Sequence, residues 1–185
     1  METTEMAFTS VPAWARDRVD ALGAVPPVSG ARHLLVGVGP TSAETLRGWE
    51  QQLVGTPIHT IHTIHTVHTV HLDEADAALS DALADARVGV RIHLAGPIGD
   101  CLRLRATALR AGAEDDEIQV SPTTEGTIWV QCLHCEAVTA AEARINDIIE
   151  CAGCGLGLVV YYHVSRRTGH FMGFQIDAET AEAMP

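Results

Sequence analysis

The sequence predicts an α/β chain in two parts, a parallel sheet flanked by helices and then a small β-rich domain. Three observations carry this expectation. Apolar runs of strand length alternate with stretches of helical spacing between residues 31 and 120, the pattern of strands joined by crossover helices. Beyond Gly126 the helical spacing stops and β-rich segments follow one another. Four of the five cysteines fall in that second part, as two Cys-x-x-Cys pairs. The expected organisation is a lead-in over 1–29, an α/β domain over 30–121 and a four-cysteine domain over 122–185.

The lead-in is punctuated by Pro12, Pro26 and Pro27, and residues 14–22 offer one or two helical turns with Trp14 packed on the body. Arg32 to Val38 is an apolar run expected as a buried strand. Gly39 to Ser42 turns, with Thr41 or Ser42 placed to cap a helix over Ala43 to Leu53. His59, His62, His65, His68 and His71 then recur at every third position. A strand has period two and a helix 3.6, so neither lines these rings on one face. The tract is expected to be an expanded loop or strand with adventitious metal affinity.

Ala75, Leu79, Leu83 and Ala86 share one face of a helix over Asp73 to Ala86. Val88 to Ala95 is the second strand. After a turn at Gly96 to Gly99, Asp100 is placed to cap a helix over Cys101 to Ala111, with Gly112 stopping it. Glu117 to Val120 is the third strand. In the second part, Thr127 to Gln131 is a strand running into Cys132. Leu156 to Val164 and Phe171 to Ile176 form a hairpin joined by Ser165 to Gly169, and of Tyr161 and Tyr162 one is expected to face the core and the other solvent.

Composition narrows the function. The chain has 185 residues and a net charge of −12, from 24 acidic residues and 12 basic ones, every one of them Arg. It lacks the basic footprint that phosphate contact needs, so no nucleic-acid or anionic-membrane partner is expected. No apolar stretch approaches the roughly 20 residues of a membrane span. The first residues show no signal-peptide pattern, so a cytoplasmic location is expected. Thiols stay reduced there, and clustered cysteines then point to metal rather than to disulfides. With no Lys there is no Schiff-base nucleophile, and no Gly-x-Ser-x-Gly or His-Glu-x-x-His pattern appears.

The metal signal is Cys132-Leu-His-Cys135 followed by Cys151-Ala-Gly-Cys154. Each Cys-x-x-Cys turn aims two thiolates at one point, and two such turns complete a tetrahedron. Flanked by strands, this is the pattern of a zinc-ribbon or rubredoxin-like domain. Four thiolates suit zinc, a single iron or an iron–sulfur cluster. Glu136 stands where Gly155 stands in the second pair, so the first turn is expected to offer sulfur fewer amide hydrogen bonds, which favours zinc. His134 is expected to point outward. Cys101, at a helix start with no basic partner, is expected to be a buried or capping thiol.

Gly37, Gly39 and Thr41 follow one strand, and Gly96 and Pro97 follow another. Such turns offer amides and a helix dipole to phosphate. Strand–Gly-x-Gly-x-Thr–helix and then strand–Ala-Gly-Pro–helix resembles the pyridine-nucleotide half of ferredoxin reductase-type flavoproteins over about residues 32–120. The implied fold is a truncated Rossmann-like parallel sheet. A flavin barrel precedes that half in those proteins, and here about 30 residues do, so the turns read as a nucleotide relic and strong NADPH binding is not expected.

The four cysteines, with His163, Ser165, Arg166 and Arg167, then Met172-Gly173-Phe174 and Asp177-Ala-Glu179, are similar to the DmmA family, the small-subunit group named for bacterial dimethylamine monooxygenase. The histidine tract departs from it. The resemblance implies an accessory subunit of a multi-component, NADPH-dependent haem monooxygenase that oxidatively N-demethylates secondary amines. Haem and reductase would sit on partner subunits, and this chain would not perform the chemistry alone. His163, Ser165, Arg166 and Arg167 are read as a docking turn, since Arg suits carboxylates at interfaces. Two other readings stay open: a rubredoxin-like iron electron-transfer subunit of the same system, and a stand-alone NAD(P)-binding or regulatory zinc-ribbon protein.

Overall fold

A computed structural model of the chain describes residues 9–16, 30–55 and 63–176. Most of the lead-in, His59 and His62, and Asp177 and Glu179 lie outside the described residues. The first part comprises β1 (Arg32–Val38), α1 (Ser42–Gly55), β2 (Thr63–Thr69), α2 (Leu72–Ala84), β3 (Val90–Pro97), α3 (Ile98–Arg110) and β4 (Ile118–Thr124). The strands pair in parallel in the order β2-β1-β3-β4. β1 and β3 sit inside the sheet and are buried on both faces, which is why they read as continuous apolar runs. Leu34, Val36, Ile92 and Leu94 pack on α2 and α3, while Leu35 and Ala95 pack on Leu46, Trp49 and Leu53 of α1.

The second part is a five-stranded sheet of β5 (Ile128–Cys132), β6 (Val138–Ala141), β7 (Ile148–Glu150), β8 (Gly157–Val164) and β9 (Phe171–Gln175), ordered β6-β5-β9-β8-β7. All its pairings are antiparallel except β5 with β9. The hairpin read from residues 156–176 is β8 and β9, with Val164 opposite Phe171.

Helix α3 holds the two sheets together. Its Cys101, Leu104 and Ala108 join the first core, and its Ile98 and Leu102 join Ile128, Val130, Val160, Val164 and Phe171 in the second. Two glycines permit this closeness. A Cβ on Gly99 would run into the Thr127 carbonyl, and one on Gly169, in the β8–β9 turn, would lie 2.6 Å from the Leu102 carbonyl. Residues 9–16 seal the seam. Thr9 Oγ1 donates to the Tyr162 carbonyl, Ser10 Oγ accepts from Val164 N, and Val11 is buried in the second core. Trp14 packs against both cores.

Three local expectations are corrected. Asp100 does not cap α3. β3 passes through Gly96 and Pro97 straight into the helix, Pro97 is the N-cap without a side-chain bond, and the Ile98 amide donates to the Glu125 carbonyl. The strand expected from Glu117 is β4 and starts at Ile118, because Asp115–Glu117 forms a 3₁₀ turn boxed by the side chains of Glu114 and Glu117. Tyr161 and Tyr162 do not point apart. The register shifts between Val160 and Val164, so their rings lie 4.0 Å apart and their hydroxyls are bonded at 2.6 Å.

The described end of the histidine tract is edge strand β2. Ile64 faces the α1 side and Val67 the α2 side, so His65 and His68, three apart, fall on opposite faces. Both are exposed, and His68 Nε2 lies 3.0 Å from the Gly39 carbonyl. Among the described residues no helix is long and apolar enough to cross a membrane.

Candidate metal centre

The two Cys-x-x-Cys turns share one backbone wiring. In the first, Cys132 N donates to the Ala137 carbonyl and Glu136 N to the Cys132 carbonyl, each at 2.9 Å. In the second, Cys151 N donates to the Leu156 carbonyl at 2.9 Å and Gly155 N to the Cys151 carbonyl at 3.0 Å. Both turns close through a left-handed residue, Glu136 at φ 61° and Gly155 at φ 72°. Glycine adopts that region freely and glutamate does so at a cost. Glu136 adopts it anyway, so the Ala137 amide reaches the Cys135 sulfur just as the Leu156 amide reaches Cys154. The first turn thus keeps one amide donor, Ala137, against Gly153, Cys154 and Leu156 on the second, in line with the expected shortfall.

The turns bring together all four predicted cysteines. Cys132 Sγ and Cys154 Sγ are 3.9 Å apart, Cys135 Sγ and Cys151 Sγ 3.6 Å, and all four sulfurs lie within 4.8 Å of one another. A tetrahedron of thiolates bonded at about 2.3 Å to one ion has edges of about 3.8 Å. Cys132 and Cys151 are buried against Leu158, with Ala137 and Leu156 beside them, while Cys135 is exposed. The amides of Cys154 and Gly153 pull the Cys151 thiol down to about 6. The Leu156 amide lowers Cys154, but burial and the neighbouring thiols outweigh it and push that group up to about 12. Ligating cysteines must shed their protons, and the Cys154 and Gly153 amides favour the thiolate of Cys151. His134 is exposed and stands outside the set of four.

The turn residues His163, Ser165, Arg166 and Arg167 are engaged within the chain. His163 Nδ1 accepts from the Ser10 amide, Ser165 Oγ accepts from the Thr168 amide, Arg166 pairs with Asp115 at 2.6 Å and the Arg167 carbonyl accepts from Arg110. Arg167 contributes only its carbonyl to these contacts, and its side chain is exposed. The glycine turns meet at the carboxyl ends of the adjacent strands β1 and β3, where nucleotides lie in doubly wound sheets. There Thr41 Oγ1 is bonded to Thr123 Oγ1 at 2.7 Å, and the start of α3 is covered by residues 125–129. Cys101 is fully buried with its thiol aimed at the Gly96 carbonyl, and burial holds it protonated.

Sequence reasoning passed over a buried histidine pair. His33 on β1 and His93 on β3 are fully buried with stacked rings, His33 Nδ1 3.0 Å from His93 Nε2, and Trp49 packs against His93. The available signal was a histidine inside each of two otherwise apolar strands.

Comparison with known proteins gives two matches. Residues 129–174 match the family model described as the dimethylamine monooxygenase subunit DmmA-like C-terminal domain. Over 101 residues the chain is 41% identical to the heme-dependent oxidative N-demethylase delta subunit of Ectopseudomonas mendocina (strain ymp). That stretch covers 55% of this chain and 57% of the relative. No solved structure matches.

Proposed function

We propose, from the match of residues 129–174 to the DmmA-like C-terminal domain and the likeness to an N-demethylase delta subunit, that this chain is a non-catalytic subunit of a multi-component haem-dependent oxidase. That oxidase removes methyl groups from secondary amines such as dimethylamine. Haem-bearing and reductase subunits are its partners, and the cytoplasm, where thiols stay reduced, is its location. The four cysteines hold one structural zinc. The observation that carries this reading is the set of four sulfurs at single-ion spacing inside the family-matching segment. In a cluster the thiolates ligate different irons, a wider arrangement than this one.

In this reading the protein side of the metal centre is simple. Strands β5 and β8 fix the turns, and amides of Ala137, Gly153, Cys154 and Leu156 stabilise thiolate charge. A bound zinc would cross-link the two turns without redox chemistry. The turns at Gly37, Gly39, Thr41, Gly96 and Pro97 serve the fold rather than NADPH. The Ile98 amide, which a phosphate would need, is taken by Glu125.

One observation favours a second reading, an iron electron-transfer subunit. Amides reach sulfur on both turns, Ala137 on the first and Gly153, Cys154 and Leu156 on the second, and such hydrogen bonds tune an iron site. Metal content and a visible spectrum, on untagged full chain purified without added metal, separate the two readings. About one zinc per chain, colourless and absent from Cys132→Ser, is the expected result. Iron with visible absorption overturns the structural role. Metal that persists when all four cysteines are replaced by Ser belongs elsewhere on the chain and overturns the site.

A further inference from the structure

The five-stranded sheet has two apolar faces, and α3 covers one of them. Ile128, Val130, Val160 and Phe171 are buried on that side. Directly paired residues of a sheet share a face, which defines the other side. Ile148 pairs with Val159 and Val159 with Phe174, while Gln131 pairs with Val138 on one flank and Met172 on the other. Ile148 and Ile176 flank Gly157, where a Cβ would lie 3.8 and 3.4 Å from their Cγ2 atoms. The Tyr161 ring is 4.6 Å from the Phe174 ring. Leu133, two residues past Gln131 and bonded through its amide to the Gly173 carbonyl, extends the surface to the first metal turn.

These side chains are not covered. Exposure runs from 38% at Phe174 to 58% at Ile148, with Val138, Leu133 and Ile176 between. Large contiguous apolar surface on a folded chain marks an interface. Charge identifies the kind of occupant. The five strands contain no Arg. Glu150, directly opposite Gly157, and Glu136, in the first metal turn, are exposed carboxylates at the border, and among the described residues neither has an ion-pair partner. A second copy laid face to face would set these carboxylates against each other in a chain of net charge −12, which is repulsive. The residues that follow Ile176 include Asp177, Glu179 and Glu182 and no basic group, so the same repulsion weighs against them.

We propose that this face, beside the metal centre, docks a different subunit of the assembly, one that presents an apolar patch bordered by Arg or Lys. The inference rests on the subunit reading above. The test is co-expression of the full chain with the haem-bearing and reductase subunits, comparing wild type with Ile148→Glu, Phe174→Glu and Glu150→Lys. Each variant is first checked for one metal ion per chain and an unchanged unfolding temperature. Wild type is expected to assemble. The two apolar-to-Glu variants should bind about tenfold more weakly or worse, and Glu150→Lys should bind more weakly with a reduced salt dependence. Should a variant fail to fold, hydrogen exchange on wild type decides: residues 148–150 and 171–176 must slow in the assembly relative to the free chain.

The outcomes separate the claims. Wild type that fails to assemble overturns the subunit reading and this inference with it. Wild type that assembles alongside unimpaired variants, or without exchange protection on this face, overturns the inference alone. A free chain that dimerises through Phe174, or whose face is protected by residues 177–185, overturns it in favour of those occupants.

Discussion

His93 and Asp100 respond to acid with opposite signs. Burial first, and then the adjacent His33, pull His93 from 6.5 down to about 4. The unfolded chain therefore binds a proton that the folded chain refuses between those values. Stability falls as pH drops through that window, by about 3 kcal/mol when complete. Burial raises Asp100 to about 6, ahead of the opposing pull of Arg103. The folded chain then takes up the proton first, and stability rises as pH drops from about 6. The two effects offset each other in the wild type. Asp100→Asn, which mimics the protonated acid, is expected to uncover the histidine effect. Urea unfolding at pH 7 and at pH 4.5 should show a steeper acid loss in the variant. An equal loss in both chains would mean that Asp100 titrates near its ordinary value. Neither group was singled out for titration in the sequence, because burial is a property of neighbours. His93 sits among residues that read as a strand whichever side chain occupies that position.

Helix α3 shows how one element can serve two cores. Its Leu102 turns to the second sheet while Cys101 and Leu104 turn to the first. The close approach of residues 127–129 makes Gly99 irreplaceable in a way that helix propensity would not suggest. Gly99→Ala is expected to destabilise by about 1–3 kcal/mol through overpacking. Gly48→Ala, in the middle of α1 with nothing near the added methyl, is expected to stabilise by about 0.5–1 kcal/mol. Denaturant unfolding of the metal-loaded chain measures both, and the same sign for both would remove the argued seam. The elements themselves were largely legible. Strand Arg32–Val38 and the β8–β9 hairpin lie where apolar runs and the Ser165–Gly169 turn placed them. The start of α3 was not, because Pro97 and the Glu125 carbonyl, rather than Asp100, end the preceding strand.

The whole chain is two sheets sharing α3, with a metal centre at the far side of the second. Leu158 links the cysteine cluster to that sheet, and Phe171 links the sheet to α3. Binding energy at such a centre is folding energy for the domain around it. Cys151→Ser is expected to release the ion and to raise hydrogen exchange across β5, β8 and β9 toward the unfolded rate. Leu34 and Val36 in β1 should stay protected, since their core is made by α2 and α3. Chelation of wild type should give the same pattern. Intact protection of the second sheet without metal would overturn the structural role of the centre.

The class of fold and the four ligands follow from the order of residues along the chain. Periodicity is local, and a Cys-x-x-Cys turn needs only its own few residues to aim two thiolates, so both are written within short windows. Long-range packing set what remained. Arg166 and Arg167 are exposed, yet the Arg166 side chain pairs with Asp115 and the Arg167 carbonyl accepts from Arg110, both in the first part of the chain. The apolar outer face exists only because the pairing register of the consecutive strands β7, β8 and β9 aligns Ile148, Val159 and Phe174 in one row. Such features depend on which segments meet, and the free energy that decides this is summed over both cores.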